Sequence, residues 1–308
     1  MRLMCAILTA AVMGCGGCDG GSPTTKDIFW WGGAGRTNGK FFKPRGIAIA
    51  DGRVYVVDMT GRIQVFGPDG RWLATWRLEQ INRGYPSGLG VRPDGCLGVA
   101  DTHNFRVLIY TPAGERVQVI GREGGGEGEF TYVTDVAFDA DGNVFVSEHG
   151  RVPRVQKFDK AGRFVKMWGA SGDQPGAFIR PQGLAVDRGG SVYVADASAH
   201  RIQKFSGDGV LQAVIGEPGH GPGQVMYPYD VAVLPNGNLA VCEYGNNRVQ
   251  VFDREGASLG TWGGPGREPG QFATPWGLAP LAGRGLYVTD RGNHRVQVLP
   301  VPVGGEGA

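Results

Sequence analysis

One motif recurs six times along the 308 residues, and this recurrence decides what the chain can fold into. Its clearest copy is Pro181–Phe205, PQGLAVDRGGSVYVADASAHRIQKF. Leu184–Val186 and Val192–Val194 are short β-rich runs parted by the turn Asp187-Arg188-Gly189-Gly190, and a third run, Ile202–Phe205, follows a polar loop. Runs of this kind joined by Gly/Asp turns predict an antiparallel meander. Two places after the residue that opens each copy stand Gly46, Gly88, Asp135, Gly183, Asp230 and Gly277, at spacings of 42, 47, 48, 47 and 47. An acid closes the second run at Asp58, Asp101, Glu148, Asp196, Glu243 and Asp290. An arginine opens the third at Arg62, Arg106, Arg154, Arg201, Arg248 and Arg295. A fourth run ends at Trp76, Ile120, Trp168, Ile215 and Trp262, always 14 residues after that arginine. Six copies of a four-strand unit with this period predict an all-β, six-bladed β-propeller.

The repeats occupy residues 27–303 as one domain in register. The chain has 55 glycines, and within the repeats they recur at fixed offsets, so they mark turns rather than low complexity. Net charge is +2 without a long run of either sign, which gives no electrostatic basis for a nucleic-acid partner or an acidic membrane surface. Residues 1–14 stand apart: Arg2 precedes the apolar run Leu3–Met13, ending at Val12-Met13-Gly14-Cys15. This resembles a bacterial lipoprotein signal, and the expectation is export, with Cys15 lipidated and the membrane touched only through that lipid. Met13 departs from the pattern, and Cys18 is the alternative. The run is too short to span a bilayer as a helix. Residues 15–26 read as a tether and 304–308 as a tail.

Ring closure is also legible. WGGAGRTNGKF, Trp31–Phe41, matches WGASGDQPGAF at 168–178 and WGGPGREPGQF at 262–272, where the string is the tail of a fourth strand plus the linker into the next blade. The sixth copy ends after its third run, Arg295–Leu299, so Asp27–Trp31 is expected to complete it and remove a free sheet edge. The aromatics of these strings are expected in the inter-blade core. Cys96 and Cys242 fall in opposite blades, too far apart for a disulfide, and Cys242 takes a buried small-residue slot.

Each unit, G-[LIV]-A-V-D-x-x-G-x-V-Y-V-A-D-x-x-x-x-R-[IV]-Q-x-F, resembles the NHL repeat, most closely in GNNRVQVF at 245–252 and GNHRVQV at 292–298. The resemblance covers roughly residues 27–299 and implies the propeller. It leaves activity open, because NHL propellers include protein-binding and RNA-binding modules, extracellular sensors and a peptide-amidating lyase. In that lyase, zinc is held by histidines directly after the opening proline. The matching residues here are Arg45, Ser87, Thr134, Gln182, Tyr229 and Trp276, and none is a zinc ligand, so no metal and no cofactor are expected.

Other candidate chemistry reduces to structure. His103, His149, His200 and His294 fall in loops between second and third strands and His220 in a linker; they are expected to be solvent-exposed rather than ligands. The six carboxylates would suit a hard cation, but six matching arginines favour loop-fixing ion pairs, which contribute little individually if exposed. GREGGGEGEF at 121–130 lacks the lysine and helix of a phosphate loop. What remains is these six positions, five of them after a proline and Thr134 after Val133, which share no residue type and should ring the axis on one face. Their aromatics and arginine are types enriched at binding hot spots. The expected function is non-catalytic capture of a protein, peptide or glycan there by a monomer. The alternative is a lactonase-like or amidating-lyase-like enzyme using an axial cation, which would require two or more carboxylates converging on the axis; none stands at the six positions.

Overall fold

The computed structural model describes residues 28–79 and 83–301. Six four-stranded antiparallel sheets stand around one axis. Blade one runs outward as Pro44–Ala50, Arg53–Asp58, Arg62–Phe66 and Trp72–Arg77. Inner strands of successive blades touch in sequence, and Pro275–Leu281 of blade six returns to Pro44–Ala50. Blade six takes its outer strand from the other end of the chain. Phe29–Gly32 lies antiparallel to Arg295–Leu299, with Trp31 opposite Val296. The predicted closing strand is therefore observed; Asp27, the leader with Cys15, and the tail lie outside the described residues.

The core lies between blades, because each sheet is apolar on both faces and buries each against a neighbour. At the closure Trp31, Phe41, Phe66, Tyr287 and Val296 form one cluster. Phe41, Phe178 and Phe272 are fully buried and Trp168 and Trp262 half-buried. Cys96 and Cys242 are both free thiols, and Cys242 is completely buried.

All six acid–arginine pairs form. They are not the weak surface pairs that hairpin position alone suggested: every carboxylate side chain is at most 1% exposed. The cause is the linker from the preceding blade, which folds over the pair. Arg62 donates to the carbonyls of Arg36, Thr37 and Lys40, and Arg248 to those of His220, Gly221 and Gln224. Two residues on, a glutamine finishes the clasp: Gln250 donates to Gln224 O and accepts from Gly223 N. Gln64, Gln156, Gln203 and Gln297 do the same to their own linkers. In blade two the position is Leu108, packed in the core. The linkers also carry two short parallel strand pairs that were not predicted, Arg122–Glu123 with Glu129–Phe130 and Glu217–Pro218 with Gln224–Val225.

Candidate functional site

Five inner strands share one irregularity. Their register against the second strand slips between Pro44 and Ile47, Val133 and Asp135, Pro181 and Leu184, Pro228 and Asp230, and Pro275 and Leu278. A bulge re-aims the side chain within it, and here that residue is the one after the strand's opening position. Thr134, Gln182, Tyr229 and Trp276 accordingly line a cavity of about 20 Å³ on the axis, joined there by Ser87 of blade two, with Arg45 packed against Trp276.

The six fall into two groups. Ser87, Thr134 and Gln182 are each 5% exposed. Ser87 Oγ donates to Thr134 O at 2.5 Å, and Thr134 Oγ1 donates to Pro181 O at 3.1 Å, so these hydroxyls stitch blades two, three and four. The freedom from packing duty that their variety suggested does not extend to them. Arg45, Tyr229 and Trp276 are half-buried at the mouth above.

Two residues of this mouth were missed in the sequence, Tyr244 and Arg291. Tyr229 stacks on Tyr244 (4.5 Å between centroids, 20° between planes) and meets Trp276 edge-on at 4.6 Å. Arg45 and Arg291 lie 4.7 and 5.2 Å from the Trp276 ring centroid, within cation–π reach. Each newly found residue directly follows its blade's closing acid, Glu243 or Asp290, at a position as variable between copies as the post-proline one. That variability was the available signal. Burial, then the charge of Arg291, lowers the Arg45 guanidinium to about 10.

The histidines differ from expectation. Only His220 is exposed. His200 Nδ1 accepts from Tyr227 N, and His294 Nδ1 accepts from Lys43 N, each reaching the residue before the next blade's proline. Asn247 Oδ1 makes the same bond to Thr274 N. Their role is to join blades. His149 is pushed down to about 4 by burial, then by Arg180 and His103.

Below the mouth the axis narrows between the backbones of neighbouring inner strands. The inner strands approach so tightly that a Cβ on Gly46 would sit 2.8 Å from the main chain of Gly88 and Leu89. In blades three and five an aspartate replaces this glycine. Asp135 Oδ2 accepts from Leu184 N (3.0 Å) and Asp230 Oδ2 from Leu278 N (2.7 Å), each bridging to the next blade. Two carboxylates therefore do converge on the axis, one residue past the six positions searched. Both line the two axial cavities. Burial raises both; Asp135 is pushed up to about 7, and Asp230, raised further by Asp135, rises well above the usual carboxylate range.

Their pH dependence has a definite sign. The folded protein holds the Asp135 proton more tightly than the unfolded chain, so this contribution is complete below the unfolded value near pH ~4 and is lost as pH rises through about 7. Asp135→Asn keeps an acceptor for Leu184 N and removes the titration. It is expected to stabilise the protein by about 1–4 kcal/mol near pH ~8 and to flatten the loss of melting temperature between pH ~4 and ~8. An unchanged slope would mean that the acid titrates normally.

With this architecture in place, the NHL repeat profile matches residues 178–205, 226–252 and 272–299, which are blades four, five and six. The chain is an NHL-repeat propeller. The first three blades of this NHL propeller keep the acid and arginine but differ in loop length or clasp. No curated protein matches the chain. Among solved structures it is similar to virginiamycin B lyase from Staphylococcus aureus, at 12% identity and a TM-score of 0.61, covering 88% of this chain and 98% of that one. A gluconolactonase from Xanthomonas campestris gives 17% identity and a TM-score of 0.64 over 85% and 88% of the two chains. The nidogen/laminin complex gives 19% and 0.62 over 77% and 84%. Likeness at these identities establishes the fold alone.

Proposed function

We propose that this NHL propeller is an exported, lipid-anchored recognition module that captures a protein, peptide or glycan ligand at the axial mouth without turning it over. The observation that carries this reading is the cluster of Tyr229, Tyr244 and Trp276, half-buried around an opening whose throat has room for about one water. Stacked rings above a narrow throat offer contact area rather than a reaction chamber, and rigid aromatics are frequent hot spots. Trp276→Ala, Tyr229→Ala and Arg45→Ala are each expected to weaken ligand binding by about 1–3 kcal/mol, and Arg188→Ala at the other end of the disc to leave it unchanged. Damage from Arg188→Ala alone would reverse the assignment of faces. Anchoring is tested separately. Cys15→Ser should move the protein out of the membrane fraction, whereas release by Cys18→Ser alone would move the lipid site.

The axial pair Asp135 and Asp230 favours a second reading, a lactonase- or lyase-type enzyme. Two proteins of similar fold, a gluconolactonase and a virginiamycin B lyase, agree with it by name. The fit to a divalent cation is poor. Hard cations take six or more oxygens, both carboxylates are already engaged by backbone N–H groups, and among the described residues no third His, Cys, Asp or Glu joins them. Lactone hydrolysis abolished by Asp230→Asn would establish this reading over the first.

A further inference from the structure

The mouth is rich in donors and poor in acceptors. Arg45 and Arg291 both pack on Trp276, so their guanidinium carbons lie within about 10 Å of each other. Among the described residues neither has a carboxylate within ion-pair distance, unlike the six blade arginines, each of which has one. The Nε–H of Arg45 and the Nε–H of Arg291 are buried and have no acceptor; beneath them the Nε2 of Gln182, in a side chain 95% buried, is also without one. Burying such groups without a partner is costly. Arg45 otherwise makes only a long contact to Pro86 O, and Arg291 one to Met59 Sδ. Two cations beside one indole are thus held with their mutual repulsion uncancelled.

We propose that this mouth is an oxyanion receptor, in which Arg45 and Arg291 take a carboxylate, phosphate or sulfate group of the ligand beside the Trp276 ring. The inference rests on the binding reading above and gives it a chemical class. A planar oxyanion offers the paired acceptors that guanidinium forks need, and no existing ion pair is broken when it enters. The narrow throat restricts recognition to a terminal or protruding group. Gln182, lining the axial cavity, marks the inner limit of the site.

The test uses the whole protein in titration calorimetry with benzoate, its neutral isostere benzamide, and inorganic phosphate and sulfate. Benzoate should bind at least about tenfold more tightly than benzamide, with an affinity that falls as salt rises. Arg45→Met with Arg291→Met should remove that preference and leave benzamide binding unchanged, while Trp276→Ala should weaken both. Phosphate or sulfate binding more tightly than benzoate assigns the group to a phosphoryl or sulfuryl ligand; the reverse order assigns a carboxylate. Equal binding of benzoate and benzamide, or a double variant that binds benzoate as the native protein does, overturns the inference. If Trp276→Ala still weakens both probes in that case, the recognition surface survives without its proposed charge. Failure of every anion to bind overturns the oxyanion assignment, and an unchanged melting temperature of the double variant excludes misfolding as the cause of any loss.

Discussion

Deleting Ile28–Gly35 is expected to lower the melting temperature by about 10–20 °C or to give insoluble protein. The deletion removes the Phe29–Gly32 strand and leaves Arg295–Leu299 as an open sheet edge, a template for pairing with another chain. It also removes Trp31, which meets Phe66 of blade one and Tyr287 of blade six with centroids 5.7 and 5.9 Å away. The single change Trp31→Ala should cost about 3–5 kcal/mol, as large-to-small changes of buried aromatics do. A melting curve unaffected by the deletion would mean that the circle is closed by something other than this strand.

Arg62→Met should be nearly as damaging, at about 3–5 kcal/mol in urea denaturation. Arg62 is 1% exposed, among the most deeply buried side chains of the molecule. Its loss leaves Asp58 as a buried carboxylate stripped of its cation at 2.6 Å and deprives the carbonyls of Arg36, Thr37 and Lys40 of their donor. The contrast is Arg163→Ala, which breaks an ion pair of the same length from a side chain 81% exposed and should cost less than about 1 kcal/mol. Equal losses from the two would show that burial of the blade pairs is not what gives them weight.

The repeat, the blade count and the closing strand were legible because they are properties of spacing, and spacing is one-dimensional. So was the matching of Asp58 to Arg62 and its five counterparts. Their burial was not, since it depends on how an upstream linker folds back over the hairpin. His200 and His294 read as loop residues for the same reason: their acceptor role is to a backbone N–H in the next blade, 27 or more residues away. The mouth was half legible. Residues about 47 positions apart become neighbours only around a closed ring, so post-proline positions identified Tyr229 and Trp276, while Tyr244 and Arg291 came from a second variable position that was not compared. Asp135 and Asp230 stand where the other copies have glycine, but without the tight approach of the inner strands nothing in the sequence marks that slot as facing the axis.

The narrow throat has a consequence for the molecule as a whole: it gives the disc two unlike ends. A cavity of about 310 Å³ opens on the far side, lined by Ile49, Val91, Phe138, Val186 and Val233 and ending at the same two aspartates. One end is furnished with cations and rings, the other with aliphatic surface, and the throat between them has room for about one water. The two compartments can therefore be occupied at once by chemically unlike guests, with Ile47, Leu89, Asp135 and Asp230 lining both.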